Sequence, residues 1–400
     1  MEWLFLLLPV AAASGWWLAK RAGRDGASAG HAPDPAYFRG LNYVLNEQPD
    51  KAIDVFIKLA QVDRETVETH LALGSLFRRR GEVDRAIRIH QSLVARSDLG
   101  KEQRAYALLE LGQDYMLAGL FDRAESLFVE LVEMRLQRGQ ALERLLEIYQ
   151  QERDWVRCLD VAHQLQSITG MSMRTEIAQY HCEIAEATMK TGDVEAATAR
   201  LRDAQSADPD CVRALLLQAR MAMDRGDAGQ AAALYRRVAA RSPQFIPEIL
   251  PQLLKSHGQD GQDDLLEELW QLHRTHPSPP LMLALADAVE AVRGQEAAWE
   301  LLLDSLSAHA DLDVLQRLLE LQRRRVSSDQ VKDVALYQAI LEAVRQLRAR
   351  APHYRCEQCG FVARRLHWQC PSCKYWGSIK PVQPLSIPSG ADAAPERRIA

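Results

Sequence analysis

The chain has 400 residues, of which 47% are hydrophobic and 26% charged, enough for two or three globular domains. Its 49 basic and 54 acidic side chains leave a formal charge of −5, which excludes a polyanion binder at the level of the whole chain. Aromatics are only 6%, and seven cysteines are too few for a disulfide scaffold, so an all-β or disulfide-stapled fold is excluded in favour of helices.

The first element is Trp3 to Ala19, WLFLLLPVAAASGWWLA, which carries no charge. At about 1.5 Å per residue it spans roughly 25 Å as a helix, at the short end for a bilayer core. Trp3 at one end and Trp16 and Trp17 at the other suit the two interfaces, and Pro9 is tolerated within lipid. A cleaved signal peptide is one alternative, since Ala11 to Gly15 offers small residues, but Glu2 rather than a base precedes the apolar run. A buried helix is the other, and the polar, glycine-rich stretch from Gly23 to Gly30 argues against it. Residues 1–24 are therefore expected to form a single-pass anchor. Lys20, Arg21 and Arg24 then place the rest of the chain in the cytoplasm.

A repeat follows. Gly40 and Gly74 are 34 residues apart, as are Ala52 and Ala86, Gly192 and Gly226, and Ala197 and Ala231. Pro209, Pro243 and Pro277 keep the same interval. A 34-residue period with small residues at fixed helix positions and proline at the unit boundary is the tetratricopeptide signature. The clearest unit carries Leu108, Leu111, Gly112, Tyr115, Gly119, Phe121, Ala124 and Phe128. About eight units are expected over residues 36–310, followed by terminal helices over 311–350. By this register the last units lose the small residue, to Leu265 and then Trp299. Such an α-solenoid offers long faces to protein partners.

Within the array, Cys158 and Cys182 read as core thiols, and Trp155, Trp270 and Trp299 as packing residues. The runs Arg78-Arg79-Arg80 and Arg323-Arg324-Arg325 read as solvated helix ends, with docking of an acidic partner as the alternative. His70, His90, His163 and His181 form no tight set with carboxylates or cysteines along the chain. No phosphate loop, nucleophile elbow or His-Glu-x-x-His motif occurs, so the chain is not expected to be an enzyme.

Residues 351–381 carry Cys356-x2-Cys359 and Cys370-x2-Cys373. Each pair brings two sulfurs from one tight turn to a single ion, and four thiolates make a closed tetrahedral shell with no open position. The ten residues between the pairs suffice for a short β-hairpin that folds one knuckle onto the other. Gly360 suits a left-handed turn and Pro371 stiffens the second loop. Zinc and iron both suit four thiolates, so the spacing leaves the choice open. Two redox pairs are the rival reading, without the βαβ context they need. A nucleic-acid role would rest on eight basic side chains against Glu357 over residues 345–380, and an anchored chain makes it improbable. Residues 382–400 are rich in proline, alanine and serine and are expected to be a disordered tail.

The anchor, the repeats and the Cys356-Glu-Gln-Cys-Gly360 and Cys370-Pro-Ser-Cys373 knuckles together resemble the lipopolysaccharide assembly protein B (LapB/YciM) family, over essentially the whole chain. The resemblance implies an all-α tetratricopeptide solenoid with an amino-terminal transmembrane helix. It also implies a rubredoxin-type iron or zinc centre, held by Cys356, Cys359, Cys370 and Cys373, that packs against the repeats. It further implies an inner-membrane protein, cytoplasmic in bulk, that presents the deacetylase LpxC to the membrane protease FtsH. A scaffold that gathers lipopolysaccharide-synthesis enzymes is the alternative, and other synthesis or sensing membrane proteins and a homodimer remain open as partners. Lys374 departs from the family pattern, which has glycine there.

Overall fold

The computed structural model describes residues 35–46, 48–62, 67–257, 262–325, 331–350 and 353–382. The anchor expected at residues 1–24 and the tail expected beyond Val382 lie outside the described residues. Among the described residues, no helix is long and apolar enough to cross a membrane.

The chain divides into two compact units, with the boundary in sequence between Gln151 and Glu152. The first contains α1 (Pro35–Leu45), α2 (Pro49–Val62), α3 (Val67–Arg79), α4 (Val83–Val94), α5 (Lys101–Leu117), α6 (Phe121–Met134) and α7 (Arg138–Glu152). The second opens with α8 (Trp155–Thr169), α9 (Arg174–Thr191), α10 (Val194–Ala207), α11 (Val212–Asp224) and α12 (Ala228–Arg241). A 3-10 turn at Pro243–Phe245 leads into α13 (Ile246–Ser256), α14 (Gln262–Thr275), α15 (Pro279–Arg293), α16 (Gln295–Ala308), α17 (Leu312–Arg325) and α18 (Val331–Arg350). Three short strands follow, β1 (Tyr354–Cys356), β2 (Val362–Ala363) and β3 (Ile379–Pro381). Each unit is built of tetratricopeptide-type helical hairpins, and the second ends in a small four-cysteine ribbon.

Local sequence explains how each hairpin closes. Helix α9 stops at Gly192, whose φ of 83° is the left-handed conformation that glycine adopts without strain. Asp193 then caps α10 by accepting the backbone N–H of Ala196. The same Gly-Asp device recurs at Gly226 and Asp227, where Asp227 accepts the N–H of Gln230.

Packing within the hairpins follows from side-chain size. The fourth residue of the second helix is small and buried in Ala52, Ala86, Ala124, Cys158, Ala197, Ala231 and Ala298. Ala298 corrects the expectation at Trp299. Helix α14 carries Leu265 at this position instead of a small residue, and Ala298 follows it by 33 residues, not 34. In the first unit, glycines accept rings from the partner helix. A Cβ on Gly112 would stand 2.5 Å from the Phe128 ring, and one on Gly40 would stand 2.7 Å from Phe56.

Two polar expectations change in the same unit. His90 occupies the ring position that Phe56 and Phe128 fill in neighbouring hairpins, and a Cβ on Gly74 would stand 2.4 Å from its Nε2. Fully buried, its Nδ1–H donates to Asp114 at 2.5 Å. Asp114 also accepts from Arg78 at 2.8 Å, and Arg78 bridges to Glu110 at 2.5 Å. Ser75 completes the network by donating to Glu110. Arg78 is therefore a half-buried strut between α3 and α5, not a solvated helix end. Arg80 keeps the solvated role, pairing with Asp50 and Glu82 while about half exposed. A buried carboxylate must find donors, and the fold supplies them from two neighbouring helices.

Candidate metal centre

The ribbon is a three-stranded antiparallel sheet in the order β2-β1-β3. Tyr354 pairs with Ala363 on one side and with Pro381 on the other, and Cys356 lies opposite Ile379. The linker between the cysteine pairs does not form the hairpin expected of it. Instead each knuckle sits in the loop of its own turn. The first lies between β1 and β2, and the second is closed by an isolated bridge between Gln369 and Trp376.

The two knuckles share one hydrogen-bond plan. Cys356 N–H donates to Phe361 O at 2.8 Å, and Cys370 N–H donates to Tyr375 O at 2.9 Å. Gly360 N–H then closes onto Cys356 O, and Lys374 N–H onto Cys370 O. Both closing residues are left-handed, with φ of 74° at Gly360 and 62° at Lys374. The expected glycine conformation is thus retained at Lys374 without the glycine.

The four cysteine sulfurs, one from each position of the paired motif, lie within 4.8 Å of one another. Cys356 Sγ is 3.7 Å from Cys373 Sγ, and Cys359 Sγ is 3.7 Å from Cys370 Sγ. A tetrahedron with metal–sulfur bonds of about 2.3 Å has edges of about 3.8 Å. Size and donor chemistry are therefore consistent with one structural metal ion. Burial opposes a thiolate at Cys356. The Ser378 hydroxyl at 3.3 Å and the backbone N–H groups of Cys359 and Gln358 outweigh that cost and draw its pKa down to about 6. At Cys356 the surroundings thus favour the form that binds metal, whereas burial and the three neighbouring sulfurs push Cys373 up to about 12 against the backbone N–H of Tyr375.

The fully buried core of the ribbon is Cys356, Cys370 and Ile379, with Tyr354, Phe361 and Leu366 packed against it, while Trp368 and Trp376 reach out onto the helices. Trp376 meets Trp155 of α8 and Tyr180 of α9 edge-on, at 5.9 and 5.8 Å. Trp155 and Tyr180 stack on each other at 5.9 Å, which makes the seat. Trp368 stacks on Phe245 of the 3-10 turn at 6.0 Å, and the buried Arg213 of α11 lies 5.9 Å over the Trp368 ring. The Tyr354 hydroxyl donates to Glu248 of α13, and Glu248 together with burial pushes the phenol pKa up. Trp155, expected from the sequence to be a packing residue, packs against the ribbon. Phe245, Arg213 and Glu248 carried no signal of a docking role, because each lies over a hundred residues from its partner.

Comparison with known proteins follows the same division. Residues 354–381 match the rubredoxin metal binding domain, and residues 69–104 and 182–244 match tetratricopeptide repeats. The lipopolysaccharide assembly protein B of Escherichia coli (strain K12) is 37% identical over 389 residues, covering 96% of this chain and 99% of that protein. The Haemophilus influenzae protein of the same name is 35% identical over 395 residues, covering 96% and 98%. With both repeats and ribbon aligned across nearly the full length of these relatives, the chain belongs to the lipopolysaccharide assembly protein B family.

Proposed function

We propose that this chain serves lipopolysaccharide assembly as a non-enzymatic, inner-membrane-anchored adaptor. The observation that carries the reading is its full-length likeness to relatives named for that process. Residues 1–24 tether the chain with its bulk on the cytoplasmic side. The helical hairpins take up the deacetylase LpxC, and the membrane protease FtsH degrades it. Tethering would raise the effective concentration of a captured substrate near a membrane protease without any new contact. Cys356, Cys359, Cys370 and Cys373 are the ligands of one structural iron or zinc ion. A closed shell of four thiolates leaves no position for substrate, so the ion serves structure. It holds the ribbon in shape while Trp368 and Trp376 clamp α8, α9, α11 and the 3-10 turn. The domains in this reading are the anchor (1–24), the repeats (36–310), the terminal helices (311–350), the ribbon (351–381) and the tail (382–400).

The half-life of LpxC after depletion of this protein in its own host tests the reading. A lengthened half-life, restored by the intact chain but not by one lacking residues 1–24, supports the tethered adaptor. An unchanged half-life rejects it and leaves a scaffold that gathers lipopolysaccharide-synthesis enzymes without altering their lifetimes.

A further inference from the structure

Besides the ribbon ligands, the fold brings a second pair of thiols together, and no role of the repeats or the metal accounts for it. Cys182 lies on α9 and Cys211 stands at the amino-terminal cap of α11, 29 residues later in a different hairpin. Their sulfurs are 3.9 Å apart. Both are buried in a small apolar core with Ala178, Ala185, Ala197 and Ala214, and Cys211 keeps 4% exposure where Cys182 has none.

The surroundings of the two sulfurs differ in a way that assigns them separate roles. Cys211 Sγ faces the backbone N–H of Ala214 in the first turn of α11 and accepts from Gln179 Nε2 at 3.8 Å, while either thiol of the pair can donate to the other. The contact with Cys182 and these donors hold the Cys211 pKa below the ordinary thiol value although burial opposes them, while the same contact and burial push Cys182 well above it. The buried Arg213 guanidinium, itself paired with Glu183 and Glu186, favours a thiolate at either sulfur, while Glu186 opposes it at Cys182 and Asp208 at Cys211. A thiolate at a helix amino terminus beside a cation, with a second thiol in reach, is the arrangement in which cysteine reacts with an oxidant and is then resolved. Cys158 provides the contrast, because burial together with Asp154 pushes its thiol up to about 12.

We propose that Cys182 and Cys211 are an oxidation site that a small peroxide converts to a disulfide. Cys211 is the attacking sulfur and Cys182 the resolving one. The Cys211 thiolate attacks one peroxide oxygen, the O–O bond breaks, and the departing hydroxide leaves as water with the proton that Cys211 gave up. Cys182 sulfur then attacks the Cys211 sulfenic acid, the S–O bond breaks, and the second hydroxide leaves as water with the Cys182 proton. Two thiols and one hydrogen peroxide thus give one disulfide and two waters. Forming the bond needs the sulfurs to close from 3.9 Å to about 2.05 Å, a side-chain movement of roughly 2 Å. The product would staple α9 to the first turn of α11, beside the Arg213 that lies over Trp368.

The test uses the full chain with its metal loaded. It is exposed to graded hydrogen peroxide, alkylated and digested with trypsin. Cys182 and Cys211 then fall in separate peptides, 175–190 and 203–213, and the ribbon cysteines fall in others. The expected result is a 175–190/203–213 crosslinked peptide that forms at least tenfold faster than any modification of Cys158. In Cys182→Ser, Cys211 should accumulate as a sulfenic acid trapped by dimedone, and in Cys211→Ser, Cys182 should stay reduced. A crosslinked peptide no faster than Cys158 modification would overturn the proposal. So would over-oxidised Cys211 with no crosslink in the unsubstituted chain, a result that needs no variant to fold.

Discussion

Lys374 holds the left-handed φ of 62° that its counterpart Gly360 adopts at 74° in the other knuckle. A side chain in that region costs about 1 kcal/mol, which glycine avoids. Lys374→Gly should therefore stabilise the second knuckle by about 1 kcal/mol, seen as slower metal loss to a chelator. An unchanged rate would mean that the loop carries no such strain. The helix glycines behave differently. A Cβ on Gly74 would stand 2.4 Å from His90, whereas one on Gly81 would meet nothing but would sit at φ 83°. Gly74→Ala should cost about 3 kcal/mol through forced repacking and Gly81→Ala about 1 kcal/mol through backbone strain, compared by urea midpoints. At His273, burial holds the imidazole pKa below its ordinary value. The unfolded chain then binds more protons than the native one as pH falls through about 6.5, so stability declines on the acid side. Replacing it in His273→Gln should flatten that decline between about pH 7 and 5 in urea midpoints measured against pH.

Two contacts decide how elements hold together. Trp376 bridges the ribbon to α8 and α9, yet its indole Nε1 is buried without a hydrogen-bond partner. Its contribution is therefore packing. Trp376→Phe should stay within about 1 kcal/mol of the parent, while Trp376→Ala should lose about 3 kcal/mol of docking. Protease cleavage of the ribbon in the metal-loaded protein separates the two, and equal sensitivity of both variants would refute a packing role. In the first unit, Asp114 gathers His90 and Arg78 at one buried carboxylate. Asp114→Asn should cost about 3 kcal/mol, because Arg78 would keep only Glu110 and its charge would be poorly matched. The repeat register carries a clue to His90, which lies four residues after Ala86 as Phe56 follows Ala52 and Phe128 follows Ala124. A ring over a glycine was legible there. The need of that imidazole for a carboxylate from the following hairpin was not.

For the molecule as a whole, the ion and the helices stabilise the ribbon together. Only three residues of its core are fully buried, and two of them are ligand cysteines, so Cys370→Ser should lose the metal and release the ribbon while helical circular dichroism is kept. A matching change in tryptophan fluorescence is expected as Trp368 and Trp376 leave their seats, and an unaltered spectrum would contradict the clamp. The 34-residue period and the paired cysteines were readable along the chain because each depends on short, regular spacing within one hairpin or one knuckle. The family resemblance rests on these two patterns together with the expected anchor. The proposed single-pass anchor is an expectation of the sequence alone, from an uncharged run and its basic flank. Other features arise only when hairpins stack and bring distant residues into contact. Tyr354 reaches Glu248 across 106 residues, Trp376 finds Trp155 and Tyr180, and Cys182 comes within 3.9 Å of Cys211. Period and spacing specify the unit of such a stack, but the contacts between units depend on how each hairpin turns against the next.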